Sequence, residues 1–182
     1  MTAKSDKAAF RKLQEYQRRS EVFQPGKGAS GNHSQEWSGV TFRLSGNRLA
    51  CNIERVQEIL PLTPSTPVPG SKPWILGLAN VRGNLMTIVD LAWFLYGNRT
   101  QVTPRSRLLA TGPQKSPVGL LIDEIYGQRH FLNSDATEAD LPADSPLRGL
   151  VKRQHLLGSE PWQELELEQL FKSTEFLNGA AS

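Results

Sequence analysis

PWILGLANVRGNLMTIVDLAWFLYG, residues 73–97, is the stretch on which the fold of this chain turns. Trp74-Ile75-Leu76-Gly77-Leu78-Ala79 and Leu85-Met86-Thr87-Ile88-Val89 are apolar and partly β-branched. Between them Asn80-Val81-Arg82-Gly83-Asn84 supplies turn residues, so the pattern predicts strand, turn, strand. Asp90 stands where a helix N-cap belongs, and Leu91, Phe94 and Leu95 share one face of a short helix that Gly97-Asn98 ends. The expected unit is a hairpin joined to a helix, with one charged side chain, Arg82, at the turn.

Working outward, Val40, Phe42 and Leu44 alternate with polar residues, Ser45-Gly46-Asn47 forms a turn, and Leu49, Cys51 and Ile53 alternate again. This is a hairpin with one buried face. A short mixed segment, residues 54–60, follows. Pro61 to Pro73 holds five prolines and is read as a surface connection into the central hairpin. Beyond Gly97, residues 107–111 and 117–125 read as strands around a turn at 112–116, with Gly119 marking close approach of another backbone or a bulge. Residues 129–146 read as acidic and turn-rich, 147–153 and 162–165 as a last strand pair, and residues 165–176 as a C-terminal amphipathic helix.

A chain of 182 residues suffices for one sizeable core or two small lobes that share one. With 38% hydrophobic and 21% charged residues it has the balance of a soluble protein. No apolar run approaches the ~20 residues of a membrane span, and the N-terminal segment has no apolar centre of a secretory signal. One cysteine, Cys51, forms no internal disulfide, in keeping with a reducing cytoplasm.

The charge is unevenly placed. Residues 1–36 hold seven Lys/Arg against four Asp/Glu, whereas residues 37–182 hold fourteen of each. The net +3 therefore lies in a leader read as a basic helix (residues 3–23, with Phe10, Leu13 and Tyr16 on one stripe) and a Gly/Ser/Pro-rich tether. The remainder has neither a basic surplus nor the aromatic-basic interleaving of single-strand binders, so no nucleic-acid partner is expected.

No catalytic, cofactor or metal site is expected either. Cys51 sits in an alternating strand with no nucleophile elbow, and His33, His130 and His155 lack metal-ligand companions. No phosphate-binding loop or dinucleotide fingerprint follows a strand.

In this order, residues 53–59 (IERVQEI), the Pro-rich loop, residues 77–83 (GLANVRG), residues 88–91 (IVDL) and residues 118–125 (VGLLIDEI) resemble the CheW family, the adaptors of bacterial chemosensory arrays. The leader, Trp37, Trp74, Trp162 and the tail are similar to its pilus-linked branch, the PilI type. The resemblance implies a mainly β fold of two five-stranded SH3-like barrels packed on each other with short helices. It divides the chain into a leader helix and tether (1–36), a CheW-like domain (37–176) and a tail (177–182). It implies a cytoplasmic, non-catalytic adaptor beside membrane-bound receptor arrays, joining a CheA-type histidine kinase to the cytoplasmic tip of a methyl-accepting chemoreceptor, with twitching motility as the output. A flagellar adaptor and a β-barrel interaction module outside chemotaxis stay open. Carried over residue by residue, Val56 and Glu58 match the kinase- or receptor-contacting surface. Gly77, Asn80, Arg82 and Gly83 match the signature turn, and Gly119 and Ile125 lie near the receptor-facing groove. Thr87 stands where the family commonly has proline. Each position also has a plain structural reading: turn geometry for Asn80 and Gly83, an ion-pair brace for Arg82, a core side chain for Val56.

Overall fold

The computed structural model describes residues 36–113 and 116–180; the expected leader helix and most of the tether lie outside the described residues. Eleven strands run as β1 (Glu36–Leu44), β2 (Asn47–Asn52), β3 (Val56–Pro61), β4 (Ile75–Val81), β5 (Asn84–Asp90), β6 (Arg107–Thr111), β7 (Val118–Ile122), β8 (Glu124–Leu132), β9 (Ala136–Glu138), β10 (Val151–Leu157) and β11 (Glu160–Leu165). Three short helices join them: α1 (Leu91–Tyr96), α2 (Leu167–Lys172) and α3 (Thr174–Leu177). Asp90 caps α1 by accepting the Trp93 N–H, and Gly97 ends it in the left-handed region at φ 71°.

The strands make two mixed sheets. One has the order β8-β1-β2-β11-β10-β9 and the other β3-β6-β7-β5-β4. Pairing is antiparallel except for β2 with β11 and β5 with β7. The second sheet, with the order-defining strands 3 to 7, is thus inserted between the two parts of the first. The mainly β architecture matches the expectation, with a sixth strand in the first sheet, the three-residue β9.

Side-chain alternation partitions the core. Phe42, Leu44, Leu49, Val89, Leu109, Leu120 and Ile122 fill the space between the sheets. On the second sheet's other face, Met86, Ile88, Leu108 and Leu121 gather with Leu60 and Ala79. Leu60 and Ala79 come from β3 and β4, the two edges of that sheet, so the sheet curls until its margins share one interior. Leu120 and Leu121 face opposite cores, which is why β7 is apolar throughout. Gly119 is tightly packed: a Cβ there would stand 3.0 Å from Ile88 Cδ1 and from Met86 Sδ, so those side chains would have to give way.

Several boundaries depart from the sequence reading. Residues 129–132 continue β8 instead of opening a loop, because β8 pairs with β1 as an edge strand on which Gln128, Arg129 and His130 stay in solvent. The last hairpin is β10–β11, turning at Gly158-Ser159, and the C-terminal helix breaks at Ser173. There the backbone is extended and the hydroxyl accepts the Phe176 N–H, starting a new helix. Leu177 closes α3 and residues 178–180 form a further 3-10 turn, so ordered chain passes the expected start of the tail.

Cys51 is fully buried, and burial pushes its thiol up to about 12. Native protein at mildly alkaline pH is expected to react with a disulfide reagent about 10³-fold more slowly than urea-unfolded protein. Equal rates would show that β2 opens readily.

Candidate interaction surface

Val81 and Asn84 pair across the end of the β4–β5 hairpin and leave Arg82-Gly83 as a two-residue loop. Both have positive φ, 51° and 85°, as the twist-matched hairpin turn requires. Asn80 Oδ1 accepts the Gly83 N–H at 2.9 Å and fixes the loop from one side. An arginine in the left-handed region costs about 1–2 kcal/mol relative to glycine.

Its side chain is 75% exposed and places Nη2 2.6 Å from Glu58 Oε1, on a side chain 33% exposed. Glu58 lies on β3 and Arg82 at the end of β4, so the ion pair closes the curled second sheet across its margins. An exposed pair of this kind contributes at most about 1 kcal/mol, which does not exceed the backbone cost. Arg82 is therefore poorly explained by stability and well placed to reach outward.

Gly77, three residues before Asn80, supports this margin. Its φ is 138°, and a Cβ there would collide with the Thr66 carbonyl. The space belongs to the Pro-rich loop: Thr66 and Leu78 exchange two backbone hydrogen bonds of 2.8 Å, covering the free edge of β4. Val56 shares β3 with Glu58 but packs partly buried against the core between the sheets, as does Ile125 on β8. The structure thus gathers Glu58, Asn80, Arg82 and Gly83, with Gly77 close by, and separates Val56, Gly119 and Ile125 from them.

Beside Val56 lies a cleft of about 390 Å³ that the sequence reading missed. Leu167 and Phe171 of α2 and Pro113 give it an apolar wall, and an Arg55–Glu168 ion pair crosses its rim. The signal was present in the spacing of Leu167, Leu170 and Phe171: Leu167 and Leu170 are buried, and Phe171 is left partly exposed on the cleft side.

Two buried ionisable groups elsewhere are held by partners within the chain. Buried Asp90 accepts from Trp93 N, from Thr100 N and from Thr100 Oγ1 at 2.7–3.1 Å. His155, 1% exposed, sets Nε2 3.0 Å from Glu164 Oε2, and Arg153 takes the other oxygen. Among the described residues no three His, Cys, Asp or Glu converge as a metal site, and no helix is long and apolar enough to cross a membrane.

Two mixed sheets around a shared core, with a strained exposed arginine on one sheet margin and a separate apolar cleft against α2, define a β module with two candidate contact surfaces. The chain belongs to the CheW-like domain family, which matches residues 38–175. It is 31% identical to Protein PilI of Pseudomonas aeruginosa over 150 residues, 80% of this chain and 82% of that protein. It is 29% identical to Protein FrzA of Myxococcus xanthus over 134 residues, 74% of this chain and 80% of that one. The crystal structure of the scaffolding protein TtCheW from Thermoanaerobacter tengcongensis shares the fold, with a TM-score of 0.66 at 17% identity, covering 76% of this chain and 94% of that one.

Proposed function

We propose that this chain is a non-catalytic adaptor that holds a CheA-type histidine kinase beside the cytoplasmic tip of a chemoreceptor, in a pathway that governs type IV pilus twitching motility. Family membership and the similarity to PilI support the pathway. The observation that carries the mechanism is Arg82, held out from the sheet margin in a conformation that stability alone does not favour. Glu58, Asn80 and Gly83 position it for a partner, Gly77 lets the Pro-rich loop lie against β4 and brace the margin, and Gly119 and Ile125 shape the body that carries both surfaces. Val56 underlies the cleft by α2, whose apolar wall suits one face of a receptor helix. The protein works in the cytoplasm, next to membrane-bound receptor arrays, and each contact is weak alone but summed across an array.

Arg82→Ala is expected to keep the circular dichroism spectrum and to change unfolding free energy by less than about 1 kcal/mol, while kinase activation in a mixture with receptor and kinase is lost. Full activation by the variant removes Arg82 from the mechanism. If the unaltered protein binds neither kinase nor receptor fragment at about 10–100 µM, the adaptor reading itself fails.

A further inference from the structure

A second cleft, of about 330 Å³, opens where the β1–β2 turn meets the loop after α1 and the β7–β8 junction. It lies at the far end of β5 from Arg82, about 20 Å along that strand, and is independent of the margin described above. Asp90 fixes its floor by holding Thr100 through two hydrogen bonds. Asp123 fixes its wall by accepting the Ser45 N–H at 2.9 Å.

The charges here are layered. Asp123 and Glu124 are recessed, with side chains 20% and 16% exposed, and both are already engaged: Asp123 with Ser45 and, at 3.8 Å, with Arg43 Nε; Glu124 with Arg43 at 3.4 Å and Arg105 at 3.1 Å. The guanidiniums stand outside them, Arg43 at 42% and Arg105 at 75% exposed. Arg99 is exposed as well, its guanidinium 4.1 Å above the Trp93 ring, and no carboxylate of the described residues lies within ion-pair distance of it. Stacking on the indole fixes the guanidinium plane while leaving its donors unspent. Val102, more than half exposed, stands between Gln101 and Thr103 of the lining.

An approaching molecule meets the Arg43 and Arg99 guanidiniums of the lining, with Arg105 held nearby through Glu124 and the acids beneath. We propose that this cleft is a second docking surface, for a carboxylate-rich segment of a partner protein. Bidentate guanidinium–carboxylate geometry favours Glu and Asp side chains at such a place. A nucleic-acid backbone fits less well, because residues 37–182 carry fourteen cations and fourteen anions and offer no extended basic track beyond the cleft.

The test is fluorescence anisotropy of a labelled hexaglutamate peptide titrated with the full chain at about 50 mM salt, where screening is weak. Arg99→Glu is expected to weaken binding about tenfold or more, Arg99→Lys much less, and Arg82→Ala or Arg129→Glu not at all. Trp93 fluorescence should change on binding and lose that change in Arg99→Glu. No saturable binding below about 1 mM, an equal loss in Arg129→Glu, or tighter binding of a single-stranded oligonucleotide than of the peptide overturns the proposal. Because Arg82→Ala tests the adaptor surface separately, failure of one reading leaves the other standing.

Discussion

Truncating Phe176 to alanine is expected to lower the free energy of unfolding by about 3–5 kcal/mol, the range for a buried aromatic whose site does not collapse. Phe176 is 8% exposed and sits at the centre of an aromatic cluster: its ring stacks on Trp74 at 5.6 Å and meets Phe94 and Phe171 edge-on at 5.2 and 5.3 Å. Trp74 begins the central hairpin and Phe94 belongs to α1, so one side chain from the last helix fastens three separate parts of the chain. Loss of the ring also loosens Gly179, which packs flat on Trp74 and whose carbonyl accepts the Lys72 N–H at 3.0 Å. Urea denaturation followed by tryptophan fluorescence measures the effect. A loss below about 1 kcal/mol would show that the C-terminal helices merely lie on the domain.

Gly77→Ala is expected to cost about 2–4 kcal/mol, combining a strained backbone at φ 138° with a collision against the Thr66 carbonyl. The obstacle is main chain and cannot rotate away, so relief requires the Pro-rich loop to lift from β4. Hydrogen exchange would then show the Thr66 and Leu78 amides losing protection before the rest of the sheet. Retention of both protected amides together with unchanged stability would refute this account of Gly77. Gly77→Ala and Arg82→Ala should therefore separate cleanly: one unfastens the margin, the other leaves it folded and mute toward partners.

The central hairpin and α1 were legible in the sequence because each local signal agreed with the packing. Alternation set Ile88 and Val89 into different cores, Arg82-Gly83 took the turn, and Asp90 and Gly97 capped the helix at both ends. β3 was harder to read, since it lies at a sheet margin and buries only Leu60 fully. The end of β8 was missed for the same reason: Gln128, Arg129 and His130 face water, and Phe131 alone marks the strand. Nor did β9 leave a trace, being three residues held by pairing with β10. Of the candidate surface, the turn was visible as a motif, but its link to Glu58 was not. That link joins residues distant in sequence and depends on the curl of the sheet, which no local pattern encodes. The arginine cleft escaped notice because Arg43 and Arg99 stand more than fifty residues apart in the chain and meet only in the fold.

The insertion of β3 to β7 within the first sheet has a consequence for synthesis on the ribosome. Residues 56–122 contain every strand of the second sheet and can close it as soon as they emerge. The opening hairpin, made earlier, must keep Phe42, Leu44 and Leu49 without their final cover until β11 arrives with Leu165, more than a hundred residues later. Nascent chains stalled before residue 160 should therefore hold a protease-resistant middle and a sticky, chaperone-dependent beginning.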